Sequence, residues 1–214
     1  MLYLSRLLLN PRERQVQSEL ARPYQMHRTL LHAFPDPLPA NERVLFRVDW
    51  LAHDTLPVLL VQSRHQPRWQ ALPNPRYLLP AADLPWDFTT PWDVKPCEPA
   101  FQRGQTLRFR LQANPTVKRA GKRHPLTREA DQSAWLQRKL QAAGARLLQA
   151  ERRELGRRVD AKHEDEQSHR ITLYGVRFDG LLQVTDPQAL AQAVGSGIGS
   201  AKGLGFGLLS LAPA

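Results

Sequence analysis

Tyr24 and His27 lie three residues apart in the stretch RPYQMHRTLLHAFP, Arg22 to Pro35. On a helix that spacing sets a phenol and an imidazole one turn apart on the same face, with Leu31 continuing it. An imidazole of ordinary pKa ~6.5 exchanges protons near neutral pH, whereas a phenol at ~10 is a poor base and better suited to orienting a substrate. With Arg28 beside them, the pair has the makings of proton transfer next to an anion. The same residue types also occur as a half-buried pair on amphipathic helices that do no chemistry, so this stretch alone leaves both readings open. The helix that must carry them is legible. Pro23 suits a first helical turn, where a missing N–H costs nothing. Met26, Leu30 and Phe34 form an apolar stripe able to bury against a sheet.

A second chemistry is electrostatic. Thirty Lys and Arg against twenty Asp and Glu give a net charge of +10 and a pI near 10.4. A field of that sign concentrates polyanions. No run of ~18 apolar residues offers a membrane span, and MLYLSRLLLN is too short and interrupted for a signal peptide. Nucleic acid is therefore favoured over membrane. Between Arg103 and Arg128 stand eight basic residues (Arg103, Arg108, Arg110, Lys118, Arg119, Lys122, Arg123 and Arg128) and no acidic one. Its centre, Asn114 to Pro125, reads as a basic loop that repels itself until an anion completes it. Glu151–Arg170 mixes both signs and reads as a solvated, mobile hairpin or loop, with a lesser chance that Arg152, Arg153, Arg157 and Arg158 touch RNA.

The stretch GSGIGSAKGLGFG, Gly195 to Gly207, holds six of the twelve glycines. It has neither the Gly-Lys-Ser/Thr of a P-loop nor a dinucleotide fingerprint, since Lys202 takes the third glycine position. It can bring backbone N–H groups close to phosphates, with Lys202 adding charge. His32, His53, His65, His124, His163 and His169 are scattered, and no Cys/His or carboxylate cluster has metal-ligand spacing. Cys97 is the single cysteine, which excludes an internal disulfide and suits a reducing cytoplasm. No metal or other cofactor is expected.

The elements around these groups repeat a pattern. Leu2–Leu9 reads as a strand, Arg12–Leu20 as a short helix or loop, then come the Pro23 helix and strands at Val44–Trp50 and Pro57–Val61. A Pro- and Trp-rich connection from Pro67 to Pro99 reads as degenerate structure and linker. Thr106–Ala113 (TLRFRLQA) alternates as a half-buried strand. A helix over Arg128–Ala143 ends at Gly144, and a strand follows at Arg146–Ala150. Arg170–Thr185 reads as a long strand or a hairpin turning at Asp179-Gly180. Asp186 caps a helix from Pro187 to about Val194, and Leu208–Leu211 is a final strand. The order is β-α-β-β-α-β twice: an α+β chain of two tandem ferredoxin-like (RRM-like) domains, the first partly degenerate. The expected bounds are residues 1–95, a linker at 96–104, and residues 105–214.

LYLSRLLLNP, YQMHRTLLHAFP, LRFRLQANPTV with the basic stretch after it, AWLQRKL and the closing GIGSAKGLGFGLLSLAP occur in this order along the chain. On these segments it resembles the CasE-type CRISPR RNA endoribonucleases over essentially its whole length. The resemblance implies tandem ferredoxin-like domains that cut the repeat hairpin of CRISPR precursor RNA and stay bound to the crRNA 3′ hairpin in the Cascade complex. It places the motif His at His27, the motif Tyr at Tyr24, and the glycine-rich loop at Gly197, Gly199, Lys202, Gly203, Gly205 and Gly207. Nothing carries over to Arg152–His169. Without metal, cleavage uses the RNA's own 2′-hydroxyl and leaves a 2′,3′-cyclic phosphate and a 5′-hydroxyl. RNA contacts are then expected from Arg28, Arg108, Arg110, Lys118, Arg119, Lys122, Arg123 and the loop with Lys202. The expected partners are the precursor repeat hairpin, mature crRNA and other Cascade subunits, with no membrane, for a cytoplasmic chain that is a monomer on its own. The competing reading is a non-catalytic RNA-binding subunit of a ribonucleoprotein. TLRFRLQA offers Phe109 alone and lacks the aromatic RNP motif that such domains carry.

Overall fold

The computed structural model describes residues 1–51, 55–164 and 167–214, with side chains described outside 160–170. His53 and the side chains of His163 and His169 lie outside the described residues. The chain is mixed α+β with antiparallel sheets and divides into two compact units. The first comprises Met1–Glu98, Asp160–Arg170 and Gly203–Gly205; the second comprises Pro99–Val159, Ile171–Lys202 and Phe206–Ala214.

The first unit contains β1 (Leu2–Leu8), α1 (Arg14–Ala21), α2 (Pro23–Leu31), β2 (Leu45–Leu51), β3 (Leu56–Ser63) and β4 (Trp92–Cys97). Its sheet has the order β2-β3-β1-β4, all pairs antiparallel. The period of two sends Leu7, Leu59, Val61 and Phe46 to one face, where the stripe Met26, Leu30 and Phe34 buries against them. Pro23 opens α2 as its first residue. Loss of this apolar contact with water is what holds α2 down, since nine residues are too few for a helix to stand alone.

The Pro- and Trp-rich stretch does more than link. β4 closes the sheet, with Leu2 opposite Cys97 and Leu7 opposite Trp92. Asp93, Lys95 and Pro96 hid it, because an edge strand keeps one side in water and tolerates proline. The expected boundary at 95 and the linker from 96 therefore fall inside a paired strand. Before it, 3-10 turns at Trp69–Ala71 and Ala81–Asp83 stand between β3 and β4. They leave Trp69 and Tyr77 buried in the core.

The second unit is built on β5 (Thr106–Ala113), β6 (Thr116–Arg119), β7 (Lys122–Pro125), α3 (Glu129–Ala142), β8 (Ala145–Glu164), β9 (Gln167–Val184), α4 (Pro187–Ser196) and β10 (Leu209–Pro213). The sheet order is β10-β5-β9-β8. Asp186 caps α4, its carboxylate accepting from the N–H groups of Gln188 and Ala189. Two sequence expectations are corrected here and a third is narrowed. The basic loop of Asn114–Pro125 is a two-stranded hairpin, β6 and β7. The stretch expected as a solvated hairpin or loop contains the end of β8, to Glu164, and the start of β9, from Gln167, so strands replace the loop alternative. Asp179-Gly180 is no turn: β9 runs straight through it, opposite Arg110 and Phe109. The glycine there answers to space, because a Cβ on Gly180 would lie 2.0 Å from the Gln149 carbonyl oxygen of β8. Among the described residues no helix is long and apolar enough to cross a membrane.

Candidate active site and nucleic-acid interface

His27 projects from α2 onto Phe46 of β2, the rings stacked at 6.2 Å and 13°. Phe46 is part of the buried face of the sheet, so the imidazole is backed by hydrocarbon on that side. The glycine bend of the same unit lies against both rings. A Cβ on Gly203 would sit 3.4 Å from His27 Nε2, and one on Gly205 would sit 3.2 Å from Phe46. Nδ1 of His27 is buried with no hydrogen-bond partner among the described residues. Burial disfavours the imidazolium and pushes the pKa of His27 below its ordinary value. The result is a ring biased toward its neutral form, with Nε2 toward Gly203, which carries no side chain. Tyr24 is half-buried one turn earlier on α2, and Arg28 is exposed.

We expect Gly203→Ala to fold normally, because the methyl meets the imidazole at ordinary contact distance. It would nonetheless occupy the space beside Nε2, and a group kept about 1 Å from its place there would react ~100-fold more slowly. Single-turnover cleavage of a labelled repeat RNA, beside a melting curve, measures both.

What fixes α2 is a polar network absent from the sequence reading. Glu19 of α1, 5% exposed, accepts from Thr29 Oγ1 at 2.7 Å, Tyr77 Oη at 2.7 Å and Gln15 Nε2 at 2.8 Å. Thr29 is two residues beyond His27, so this carboxylate ties the helix to α1 and to the segment after β3. Burial first, then the neighbouring carboxylate, pushes the Tyr77 phenol far up, so it stays a donor. Tyr77→Phe strands one carboxylate oxygen, and the loss is ~1–3 kcal/mol, read as a lower urea midpoint. The available signal was Val16 and Glu19 at helical spacing: an acid on a buried face needs partners.

The expected RNA-binding residues fall into three groups. Lys118, Arg119, Lys122 and Arg123 are exposed on the β6–β7 hairpin, whose turn residues Ala120 and Gly121 both have positive φ. That is the primed turn that matches strand twist. Its register sets Lys118 opposite Arg123 and Arg119 opposite Lys122. Like charges directly opposite destabilise a ladder, and a two-stranded ribbon is marginal to begin with. A bound anion would offset that repulsion. On β5, Arg108 is exposed, while Arg110 is ion-paired with Asp179, which also forms an ion pair with Arg177 at 2.7 Å. Arg152 is likewise held, by Glu129 at 3.1 Å and Glu154 at 2.8 Å.

The glycine-rich loop forms the third group, and most of its glycines serve the backbone. Gly197 closes α4, donating to the Ala193 carbonyl. Gly199 passes under Trp135. Gly207 has φ of 87°, accepts from the Ile198 N–H and donates to the Gln112 carbonyl, and a Cβ there would lie 2.8 Å from the Ile198 carbonyl oxygen. Lys202 donates to the Ser196 carbonyl at 2.8 Å, an end of α4 that favours a cation. Gly203 and Gly205 are the two that meet the His27 and Phe46 rings.

An α+β chain with an imidazole under a glycine bend and an all-cationic hairpin belongs to a defined family. The chain is a member of the CRISPR associated protein family, whose model matches residues 2–213. It is 36% identical to the CRISPR-associated endoribonuclease Cse3 of Thermus thermophilus, over 99% of this chain and 100% of that protein. It is 34% identical to the CRISPR system Cascade subunit CasE of Escherichia coli, over 89% and 92% respectively. The structure of Thermus thermophilus Cse3 bound to an RNA representing a pre-cleavage complex superposes with a TM-score of 0.81, at 36% identity, covering 99% of each chain.

Proposed function

We propose that this chain is a metal-independent endoribonuclease that cuts the repeat hairpin of CRISPR precursor RNA, stays bound to the crRNA 3′ hairpin and works as a Cascade subunit in the cytoplasm. The observation that carries the proposal is the half-buried His27 ring, stacked on Phe46 and lying against Gly203. The family membership, the relatives' names and the pre-cleavage complex support it. Two tandem ferredoxin-like domains are the fold reading, supported by sheet orders that match strand for strand: β4-β1-β3-β2 and β10-β5-β9-β8.

In the proposed reaction His27 accepts the proton of the 2′-hydroxyl upstream of the scissile phosphate. The 2′-oxygen then attacks phosphorus, the bond to the 5′-oxygen breaks, and water protonates that leaving oxygen. The products are a 2′,3′-cyclic phosphate and a 5′-hydroxyl. Tyr24 orients the phosphate, and cationic groups offset its growing charge. The hairpin cations grip the stem, since A-form RNA is held mainly through shape and phosphates.

The test is cleavage of a labelled repeat stem-loop in EDTA, with products analysed by mass. A cyclic phosphate end is expected, and absence of cleavage in EDTA refutes the mechanism. The pH profile supplies the sign. A base must be neutral, so kcat/KM falls as acid protonates His27. Because burial lowers that pKa, the acid limb lies below pH ~6.5. A limb on the alkaline side instead would make His27 the acid.

A further inference from the structure

Between the β6–β7 hairpin and the start of α3 lies a cavity of about 310 Å³. Val117, Arg119 and His124 of the hairpin face Leu126, Arg128 and Asp131 across it. Val117 and His124 are directly opposite each other in the ladder, and Arg119 follows on the same face, so one side of the hairpin forms a continuous wall. The second face, bearing Lys118 and Arg123, points the other way. Arg119, Arg128 and Asp131 are all exposed, and among the described residues none of their charged groups takes part in an ion pair or side-chain hydrogen bond. Two guanidiniums and a carboxylate thus line one small cavity without neutralising one another.

A bare phosphate does not suit that lining, because Asp131 repels it. The complement is a group with acceptors on one edge and N–H donors on another. Guanine has that edge pattern: N7 and O6 accept from a guanidinium, while N1–H and the N2 amine donate side by side to one carboxylate. The volume is at the lower end of small-ligand pockets, enough for insertion of a base rather than contact with a groove edge. In a stem those donors are used in pairing, so the base must come from outside it. We propose that the cavity binds one unpaired guanine of the RNA, with Asp131 reading N1 and N2 and Arg119 or Arg128 reading O6 and N7. This rests on the RNA-binding reading above and adds a base-specific subsite to it.

The sign of one substitution tests it. A fluorescein-labelled repeat stem-loop with its single-stranded flanks is titrated with the intact chain and with Asp131→Ala. A panel of the same RNA carries one abasic nucleotide at each unpaired position. We expect Asp131→Ala to weaken binding of the intact RNA about tenfold. At one position the abasic RNA should show the same loss with the intact chain and no further loss with the variant. At that position inosine, which lacks the N2 amine, should bind more weakly than guanine. Asp131→Asn keeps the side chain's shape and should move affinity the same way. Removing a negative charge from a mere phosphate site would instead tighten binding, so equal or tighter binding by Asp131→Ala overturns the guanine subsite. A uniform loss across the whole panel overturns it as well. Failure of the intact chain to bind any of these RNAs would refute the RNA-binding reading itself, and is distinguishable on that ground.

Discussion

Replacing His27 with alanine is expected to lower single-turnover cleavage by at least ~100-fold, and by up to ~10,000-fold, the range for removing a positioned acid or base. Affinity for the RNA should stay within a fewfold. The two effects separate because the hairpin cations that hold the stem are distinct from the ring that handles the proton. Folding should survive. The lost ring stacks on Phe46, but its Nδ1 is a buried nitrogen without a partner among the described residues, and removing it offsets part of the lost contact. Tyr24→Phe keeps the ring and loses the hydroxyl, so a smaller drop is expected. Filter binding and a cleavage time course on the same labelled stem-loop measure both quantities. Equal cleavage by His27→Ala and the intact chain would move the active site off α2. Binding without cleavage by the intact chain would favour a non-catalytic RNA-holding subunit.

The second large effect belongs to the hairpin. Neutralising Lys118, Arg119, Lys122 and Arg123 together removes up to four phosphate contacts. Each contact contributes ~0.7–0.9 to the slope of log affinity against log salt, so the slope should become shallower by about 3. At low salt the affinity should fall by several orders of magnitude. The protein without RNA should behave oppositely. Two cross-strand pairs of like charge oppose formation of the ladder, so the variant should be at least as stable as the parent. A shallower salt slope together with an undiminished melting temperature is hard to obtain from misfolding. An unchanged slope would remove the hairpin from the RNA interface.

The parts legible in the sequence were those with complete local signals. The α2 stripe of Met26, Leu30 and Phe34, the Pro23 start, the alternation of TLRFRLQA and the Asp186 cap each follow from period and capping chemistry. β4 was not legible, because Asp93, Lys95 and Pro96 are what an edge strand tolerates and what a linker also contains. Asp179-Gly180 misled for a related reason. Glycine marks a turn, but here it marks a close approach by the Gln149 backbone, which is a long-range fact. The charge of the hairpin was readable, its folding into a ladder was not, since lysine and arginine have little strand preference. Of the candidate site, the placing of Tyr24 and His27 on one helix followed from spacing, while a role for them came only from the family resemblance. Phe46 behind the ring and the Glu19 network did not, because neither has a local signature.

The first compact unit is discontinuous in sequence: the helix bearing His27 comes early, and Gly203–Gly205 come from near the far end. On the ribosome α2 emerges long before the bend that lies against its imidazole. At ~5–20 residues per second, the interval from residue 27 to residue 203 is roughly ten to thirty-five seconds. Through that interval the nascent chain already has its proposed base but not the wall beside it. On the proposed mechanism the imidazole would therefore gain its full surroundings only when translation is nearly done, and a chain released early would carry the histidine without the wall beside it.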